Sequence, residues 1–258
     1  MWHEGLAGRG SSDIASCMLK FLSSLPQSLP QVILFSDTCG GENRNQFFSA
    51  MVLYALQKTH IQQLDHVYME SGHSQMECDS AHAAIESAVR NMDVYAPTDY
   101  YRAVSMARRS NPYHVVMMNQ SDFMNFRPLA KHLIRNRNNN AEVSWLKVKH
   151  FQYRQANPNC IYFKYDSNID NDNFTCIQVN RGGRGRRPFV MPETLPGLYT
   201  KPLPISVAKY RDLLSLCDSN AIHSDYHAFY KNLAFEAAAN DCLAETDQED
   251  DTDDVENV

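Results

Sequence analysis

Residues 31–92 contain two short apolar segments, and each is followed by a longer stretch with helical spacing. Val32 to Ser36 reads as a strand, and Gln46 to Thr59 repeats its apolar residues at helical intervals. His66 to Glu70 reads as a second strand, and Ser74 to Met92 as a second long helix. Strand, helix, strand and helix in this order predict a right-handed α/β crossover with parallel strands.

The elements around this segment are predicted from similar patterns. Val32 to Ser36 is apolar throughout, which is typical of a strand covered on both faces. A helix from Ser11 or Ser12 to about Leu25 is predicted, with one of these serines as its N-cap. Helical pieces are also predicted at Thr98–Ser110 and Ser206–Tyr230, and β strands at Tyr113–Met118, Val143–Gln152, Cys160–Tyr165 and Phe174–Val179.

The net charge of −6 comes from the C-terminal end of the chain. The segment from Asp241 to Glu256 carries nine acidic residues and no Lys or Arg, which predicts a disordered polyanionic tail over residues 236–258. The rest of the chain has 24 basic and 21 acidic residues. The body of the chain is therefore slightly basic, at +3.

The cysteines and the apolar runs indicate a cellular compartment. The seven cysteines form no CxxC pair, which argues against a disulfide framework and a zinc finger and favours a reducing compartment. No signal-peptide pattern precedes Ser11, and no apolar run reaches the roughly 20 residues that span a bilayer. We therefore expect a nuclear or cytoplasmic protein that is neither secreted nor membrane-bound.

Asp37 is the first candidate site residue, because it follows the predicted strand directly. Gly40 and Gly41 allow the chain to turn sharply there or to approach a ligand closely. Catalytic groups gather beyond the carboxyl ends of parallel strands, and both Asp37 and the Gly72-His73 turn fall at such ends. Asn43 or Asn45 is expected to cap the following helix.

The second long helix carries Asp79, His82 and Glu86 at positions i, i+3 and i+7, which places them on one face. Oxygen ligands such as Asp37 with Asp79 or Glu86 suit Mg²⁺ or Mn²⁺, whereas His73 and His82 suit zinc. The buried stripe of this helix is predicted to be Ala81, Ala84, Ile85 and Ala88.

A basic loop is the candidate nucleic-acid contact. Four arginines alternate with three glycines between Arg181 and Pro188, which gives a cationic segment able to follow a phosphate backbone. The nucleic-acid-binding residues predicted from this loop are Arg181, Arg184, Arg186 and Arg187.

Three sequence blocks resemble an uncharacterised domain family that many transposon-derived proteins carry. The blocks are FSDTCGGENRNQ, ESGHSQMECDSAHAAIE, and YTKPLPISVAKYRDLLSL together with HAFYKNL, so the resemblance runs from Trp2 to Leu233. The family in turn resembles the RNase H-like catalytic core of cut-and-paste DNA transposases. The resemblance implies a partial RNase H-like core over residues 1–96 and a C-terminal α+β extension of the same domain over residues 97–235.

The resemblance also implies roles for the acids. Asp37 matches the second acid of the core, and Asp79 and Glu86 compete for the third, with Asp79 favoured because it lies nearer the GHS turn. The first acid is expected upstream of Met1, so the chain resembles an N-terminally truncated form that is inactive alone unless Glu4 or a partner chain supplies the missing acid.

Three hypotheses follow. In the first, the intact parent cleaves or joins DNA by metal-assisted phosphoryl transfer at Asp37 with Asp79 or Glu86. In the second, the same fold is a non-catalytic nucleic-acid or protein-binding module. In the third, His73, Asp79, His82 and one cysteine hold a structural zinc ion.

Overall fold

The chain forms two compact units in the computed structural model. The first unit comprises Met1–Trp2 and Arg9–Lys201, and the second comprises His3–Gly8 and Pro202–Val258. The boundaries predicted after residues 96 and 235 remain a prediction. The structure describes residues 1–38, 44–69, 77–133, 137–138, 141–169, 172–179 and 190–239.

The first unit contains five α-helices and seven strands within the described residues. The helices are α1 (Ser11–Ser24), α2 (Gln46–Lys58), α3 (Glu77–Val89), α4 (Pro97–Met106) and α5 (Arg127–Leu133). The strands are β1 (Gln31–Ser36), β2 (Gln63–Tyr68), β3 (Arg137–Asn138), β4 (Ala141–Glu142), β5 (His150–Arg154), β6 (Cys160–Lys164) and β7 (Thr175–Gln178).

Five of these strands form one mixed sheet in the order β1-β2-β5-β6-β7, while β3 and β4 pair separately. β1 and β2 run parallel, which confirms the predicted strand–helix–strand crossover. The remaining neighbours in the sheet are antiparallel. The first unit is therefore a mixed α/β structure in which two parallel strands are extended by an antiparallel meander.

The core lies on the face of the sheet that α2 covers. Nine consecutive residues of α2, from Phe48 to Leu56, are buried. Tyr153 of β5 is completely buried beneath this helix, and its hydroxyl donates a hydrogen bond of 2.8 Å to Ser49 Oγ. Val32 and Leu34 of β1 pack against the same core. Successive side chains of a strand point to opposite faces of the sheet, so every second side chain lies on the face away from α2.

β1 corrects one prediction. Its side chains alternate between exposed and half-buried, and Ile33 and Phe35 are both 51% exposed, so the prediction of coverage on both faces is wrong. β1 is the terminal strand of the described sheet and has a strand neighbour on one side only. An apolar run does not distinguish a central strand from an edge strand when part of the edge strand faces solvent.

Two further details differ from the sequence predictions. Tyr113–Met118, predicted as a strand, has no regular secondary structure. The N-cap of α1 is Gly10 rather than a serine, and the Asp13 carboxylate accepts a 2.9 Å hydrogen bond from the Gly10 amide. For α2 the predicted cap is confirmed, because Asn45 Oδ1 accepts from the Phe48 amide at 2.9 Å.

The second unit contains, within its described residues, two helices and a small two-stranded sheet. The Ser206 hydroxyl caps the longer helix by accepting from the Lys209 amide at 3.1 Å. Lys209 Nζ also lies 2.6 Å from Glu4 Oε1. Parallel strands pair Ile205 with Phe235. The elements are β8 (Ile205–Ser206), α6 (Val207–Asp218), α7 (His227–Lys231) and β9 (Phe235–Glu236).

Candidate functional site

The carboxyl ends of β1 and β2 meet at one edge of the sheet. Ser36, the last residue of β1, is in register with Tyr68, the last residue of β2. Asp37 follows Ser36 directly and is exposed. Because ligands of α/β sheets bind beyond the carboxyl ends of parallel strands, Asp37 occupies the position expected of a site residue.

A hydrogen-bonded chain connects Asp37 to the neighbouring strand. Ser36 Oγ donates to the Asp37 backbone carbonyl at 3.0 Å and lies 2.8 Å from His66 Nε2. Since the single hydroxyl proton is used toward Asp37, the serine oxygen accepts from the imidazole N–H. Burial, with the nearby Arg44 charge as a smaller cause, lowers the pKa of His66 to about 3. The imidazole is therefore neutral at physiological pH.

Arg44 is the buried cation at this edge. Its side chain is 7% exposed, and its guanidinium carbon lies 4.6 Å from the centre of the Tyr68 ring. Nη1 donates a hydrogen bond to the Leu146 carbonyl. Nε and Nη2 are shielded from solvent and have no hydrogen-bond partner among the described residues. Burial lowers the pKa of Arg44, and the charge of Asp37 acts in the opposite direction.

Helix α3 presents its predicted acidic face to solvent. Asp79, His82 and Glu86 are exposed. Glu86 Oε1 lies 3.9 Å from Arg90 Nη2 one turn further along, and both side chains are largely exposed, so this ion pair contributes little to stability. The predicted buried stripe is the less exposed side of the helix, but its residues are only half-buried: Ala81, Ala84, Ile85 and Ala88. No described residue of α3 is fully buried.

An open pocket of about 540 Å³ lies beside the start of α3. Glu77, Cys78, Ser80 and Ala81 of the helix line one side, and Arg108 and Tyr113 line the other. The Arg108 guanidinium stands over the Tyr113 ring, 5.6 Å from its centre. A cation stacked on an aromatic ring is a surface that can contact the phosphate and base of a single-stranded nucleic acid.

The metal-ligand set remains incomplete in the described part of the chain. Within it, no three His, Cys, Asp or Glu side chains are grouped closely enough to hold a metal ion. The described residues alone therefore do not complete a Mg²⁺, Mn²⁺ or zinc site. The predicted site residues outside the described residues are Asn43, His73, Arg181, Arg184, Arg186 and Arg187.

Sequence reasoning missed a buried polar network on the face of the sheet opposite the core. Asp65 of β2 accepts hydrogen bonds from His150 Nε2 at 2.7 Å and Gln152 Nε2 at 2.8 Å through Oδ1, and from Gln63 Nε2 at 2.7 Å through Oδ2. Asp65, His150 and Gln152 are all buried. The available signal was an acid directly before the predicted strand at His66, because a carboxylate that becomes buried requires partners.

The structure also pairs two cysteines. Cys160 of β6 and Cys176 of β7 form a disulfide with a Cα–Cα distance of 5.9 Å. Their spacing of 16 residues carries no motif, so the argument from sequence against a disulfide framework did not anticipate this cross-strand pair. Among the described cysteines, Cys17, Cys78 and Cys217 are free.

The fold and the sheet edge together define a mixed α/β domain with polar residues at the carboxyl ends of two parallel strands. A family model described as "Domain of unknown function (DUF7869)" matches residues 7–168. The chain belongs to this family, which confirms the resemblance to an uncharacterised domain. No curated protein and no solved structure matches the chain. Within the described residues, none of the helices is long and apolar enough to cross a membrane.

Proposed function

We propose that this chain is a transposase-derived, RNase H-like domain that acts on DNA, with phosphoryl transfer taking place at the Asp37 edge in the intact parent. Asp37 would hold Mg²⁺ or Mn²⁺ together with Asp79 or Glu86. An ion held there would supply the positive charge that stabilises a displacement at phosphorus.

The observation that carries this proposal is the position of Asp37. Its carboxylate is exposed at the carboxyl end of β1, next to the end of a parallel strand, and the electrostatic influence of the buried Arg44 guanidinium reaches it. An accessible acid beside a cation at this edge supports a site for a phosphate ester. α3, which carries both other candidate acids, follows β2 in the chain.

A second candidate function is a nucleic-acid-binding module without catalysis. It is favoured by the exposed carboxylates of α3 and by the incomplete metal-ligand set of the described residues. Under this alternative, basic residues such as those of the Arg181 loop would provide the contacts, and Asp37 would be dispensable for binding.

The test uses Asp37→Ala, Asp79→Ala and Glu86→Ala, with Asp93→Ala as the control because Asp93 is also exposed but lies beyond α3. Mn²⁺ binding is measured from the loss of the free-ion paramagnetic signal, DNA binding is measured in parallel, and metal-dependent cleavage is measured with the same substitutions in the intact parent. We expect Asp37→Ala and one α3 variant to lose Mn²⁺ binding, while Asp93→Ala keeps it. Removal of a member of a catalytic unit typically costs orders of magnitude in rate.

Two outcomes contradict the catalytic proposal. Mn²⁺ binding that survives both Asp37→Ala and Asp79→Ala, together with DNA binding unaffected by metal, supports the non-catalytic module. Stoichiometric zinc in the purified protein, measured by elemental analysis, supports the structural zinc site and removes the Mg²⁺ assignment.

A further inference from the structure

We propose that Arg44 is a phosphate-binding residue whose guanidinium donates hydrogen bonds to a tetrahedral phosphoryl oxyanion at the carboxyl ends of β1 and β2. The oxyanion is either a backbone phosphodiester of a nucleic acid or a free phosphate. The first of these sources rests on the proposed function, whereas the second does not.

The pattern of satisfied and unsatisfied nitrogens points to an oxyanion. Nη1 donates to the Leu146 carbonyl, and Nε and Nη2 lack hydrogen-bond partners among the described residues. Nε and Nη2 lie on one edge of the guanidinium, and their N–H bonds point in nearly parallel directions. This pair is the fork that binds two oxygens of a phosphate or carboxylate at once.

A buried guanidinium is costly where it lacks a hydrogen-bonded anion. The Tyr68 ring and the charge of Asp37 compensate part of this cost. Arg44 takes part in none of the ion pairs found among the described residues. An anion that accepts from both Nε and Nη2 supplies the missing compensation.

The place in the fold agrees with this ligand. Arg44 immediately precedes Asn45, the N-cap of α2, and the partial positive charge of a helix start favours anions nearby. His66 is neutral and adds no positive charge to the edge, so of these two side chains Arg44 alone carries the charge that attracts an anion. Nε and Nη2 are shielded from solvent, so a ligand has to uncover them on entry.

The competing explanation is an arginine that only holds the Leu146 carbonyl and the Tyr68 ring. The two explanations differ in one observable of the wild-type chain. We expect the Nε–H resonance of Arg44, assigned through bonds by NMR, to shift when inorganic phosphate or a short DNA duplex is added. An unchanged resonance at saturating concentrations of both overturns the proposal, because a structural arginine does not respond to either.

The two probes separate this proposal from the function proposed above. A shift with phosphate but not with DNA supports the Arg44 site and argues against DNA as its ligand. DNA binding observed elsewhere on the chain, with the Arg44 resonance unchanged by both probes, supports an action on DNA and refutes the Arg44 site.

Variants of Arg44 measure how much this side chain contributes to the affinity for the anion. Arg44→Gln removes the charge and the fork, Arg44→Lys keeps only the charge, and the exposed Arg211→Gln is the charge-matched control. We expect both Arg44 variants to bind the responding probe at least about 10-fold more weakly, because each loses hydrogen bonds between the charged guanidinium and the anion. For DNA, Arg44→Gln should reduce by about one the slope of the logarithm of the binding constant against the logarithm of the salt concentration. Folded Arg44 variants with wild-type affinity overturn the assignment, and if a variant unfolds, the wild-type resonance decides.

Discussion

Asp65→Asn tests whether the polar network on β2 stabilises the first unit. The wild-type carboxylate accepts three hydrogen bonds, from His150, Gln152 and Gln63. Asparagine has the same shape but no charge and one acceptor oxygen. With that oxygen at the Oδ1 position, the bonds from His150 and Gln152 persist as neutral ones.

The magnitude follows from this geometry. A hydrogen bond to a charged group contributes about 1.5–3 kcal/mol and a neutral one about 0.5–1.5, so each retained bond loses about 1 kcal/mol. The half-buried Gln63 can reverse its amide, which limits the third loss to at most about 1 kcal/mol. We expect the free energy of unfolding to fall by about 2–3 kcal/mol and the Tm by about 5–10 °C.

The effect should depend on pH. Burial alone would raise the pKa of Asp65, but the hydrogen bonds from His150, Gln63 and Gln152 outweigh it, so the pKa lies below its ordinary value of 3.8. A depressed folded-state pKa means that the stabilisation is fully present above pH 3.8 and is lost as the pH falls through the folded-state pKa. Wild type and Asp65→Asn should therefore converge in acid.

Tryptophan fluorescence is the suitable assay, because both tryptophans of the chain, Trp2 and Trp145, belong to the first unit. Urea unfolding is compared for the wild type, Asp65→Asn and the exposed control Asp93→Asn from neutral pH to below pH 3.8. The reasoning fails if Asp65→Asn stays within about 0.5 kcal/mol of the control at neutral pH. It also fails if acidification leaves the difference unchanged.

Three other perturbations test the fold. Ile33→Lys should keep the free energy of unfolding within about 0.5 kcal/mol of the wild-type value, because Ile33 faces solvent on an edge strand. The added charge should also slow aggregation measured by light scattering. A large loss of stability would place Ile33 in the core. Reduction of the disulfide, or Cys160→Ser with Cys176→Ser, should each cost about 3 kcal/mol in urea unfolding; no response to reductant contradicts the pairing. Tyr153→Phe should cost about 1 kcal/mol by leaving Ser49 without its donor, and unchanged stability argues against that bond.

Local patterns were sufficient to predict the order of elements in the α/β segment. The period of apolar residues placed α2 within one residue of its observed end, and Asn45 marked its start. β2 begins three residues earlier than predicted, because Gln63 and Asp65 point away from the core and read as polar. Tyr113–Met118 alternates like a strand but has no regular structure, because alternation alone does not supply a pairing partner.

The candidate site was predicted only as far as one strand end. Asp37 could be recognised because an acid after an apolar strand is a local pattern. Arg44 could not, since its burial depends on Tyr68 and on Leu146, about 100 residues further along the chain. The exposure of the α3 acids could not be predicted either, because the sequence pattern of a polar helix face is the same whether that face contacts solvent or a binding site.

β2 links the stability of the sheet to the candidate site. Two adjacent residues of this central strand are polar, and each serves a different face. Asp65 is satisfied by three partners on the face opposite the core, whereas His66 reaches across to Ser36 on the core face. Ser36 in turn holds the Asp37 carbonyl. The neutral His66 therefore helps to fix the backbone from which the Asp37 side chain projects. A buried polar residue of the core face thus positions the acid on which the proposed chemistry depends.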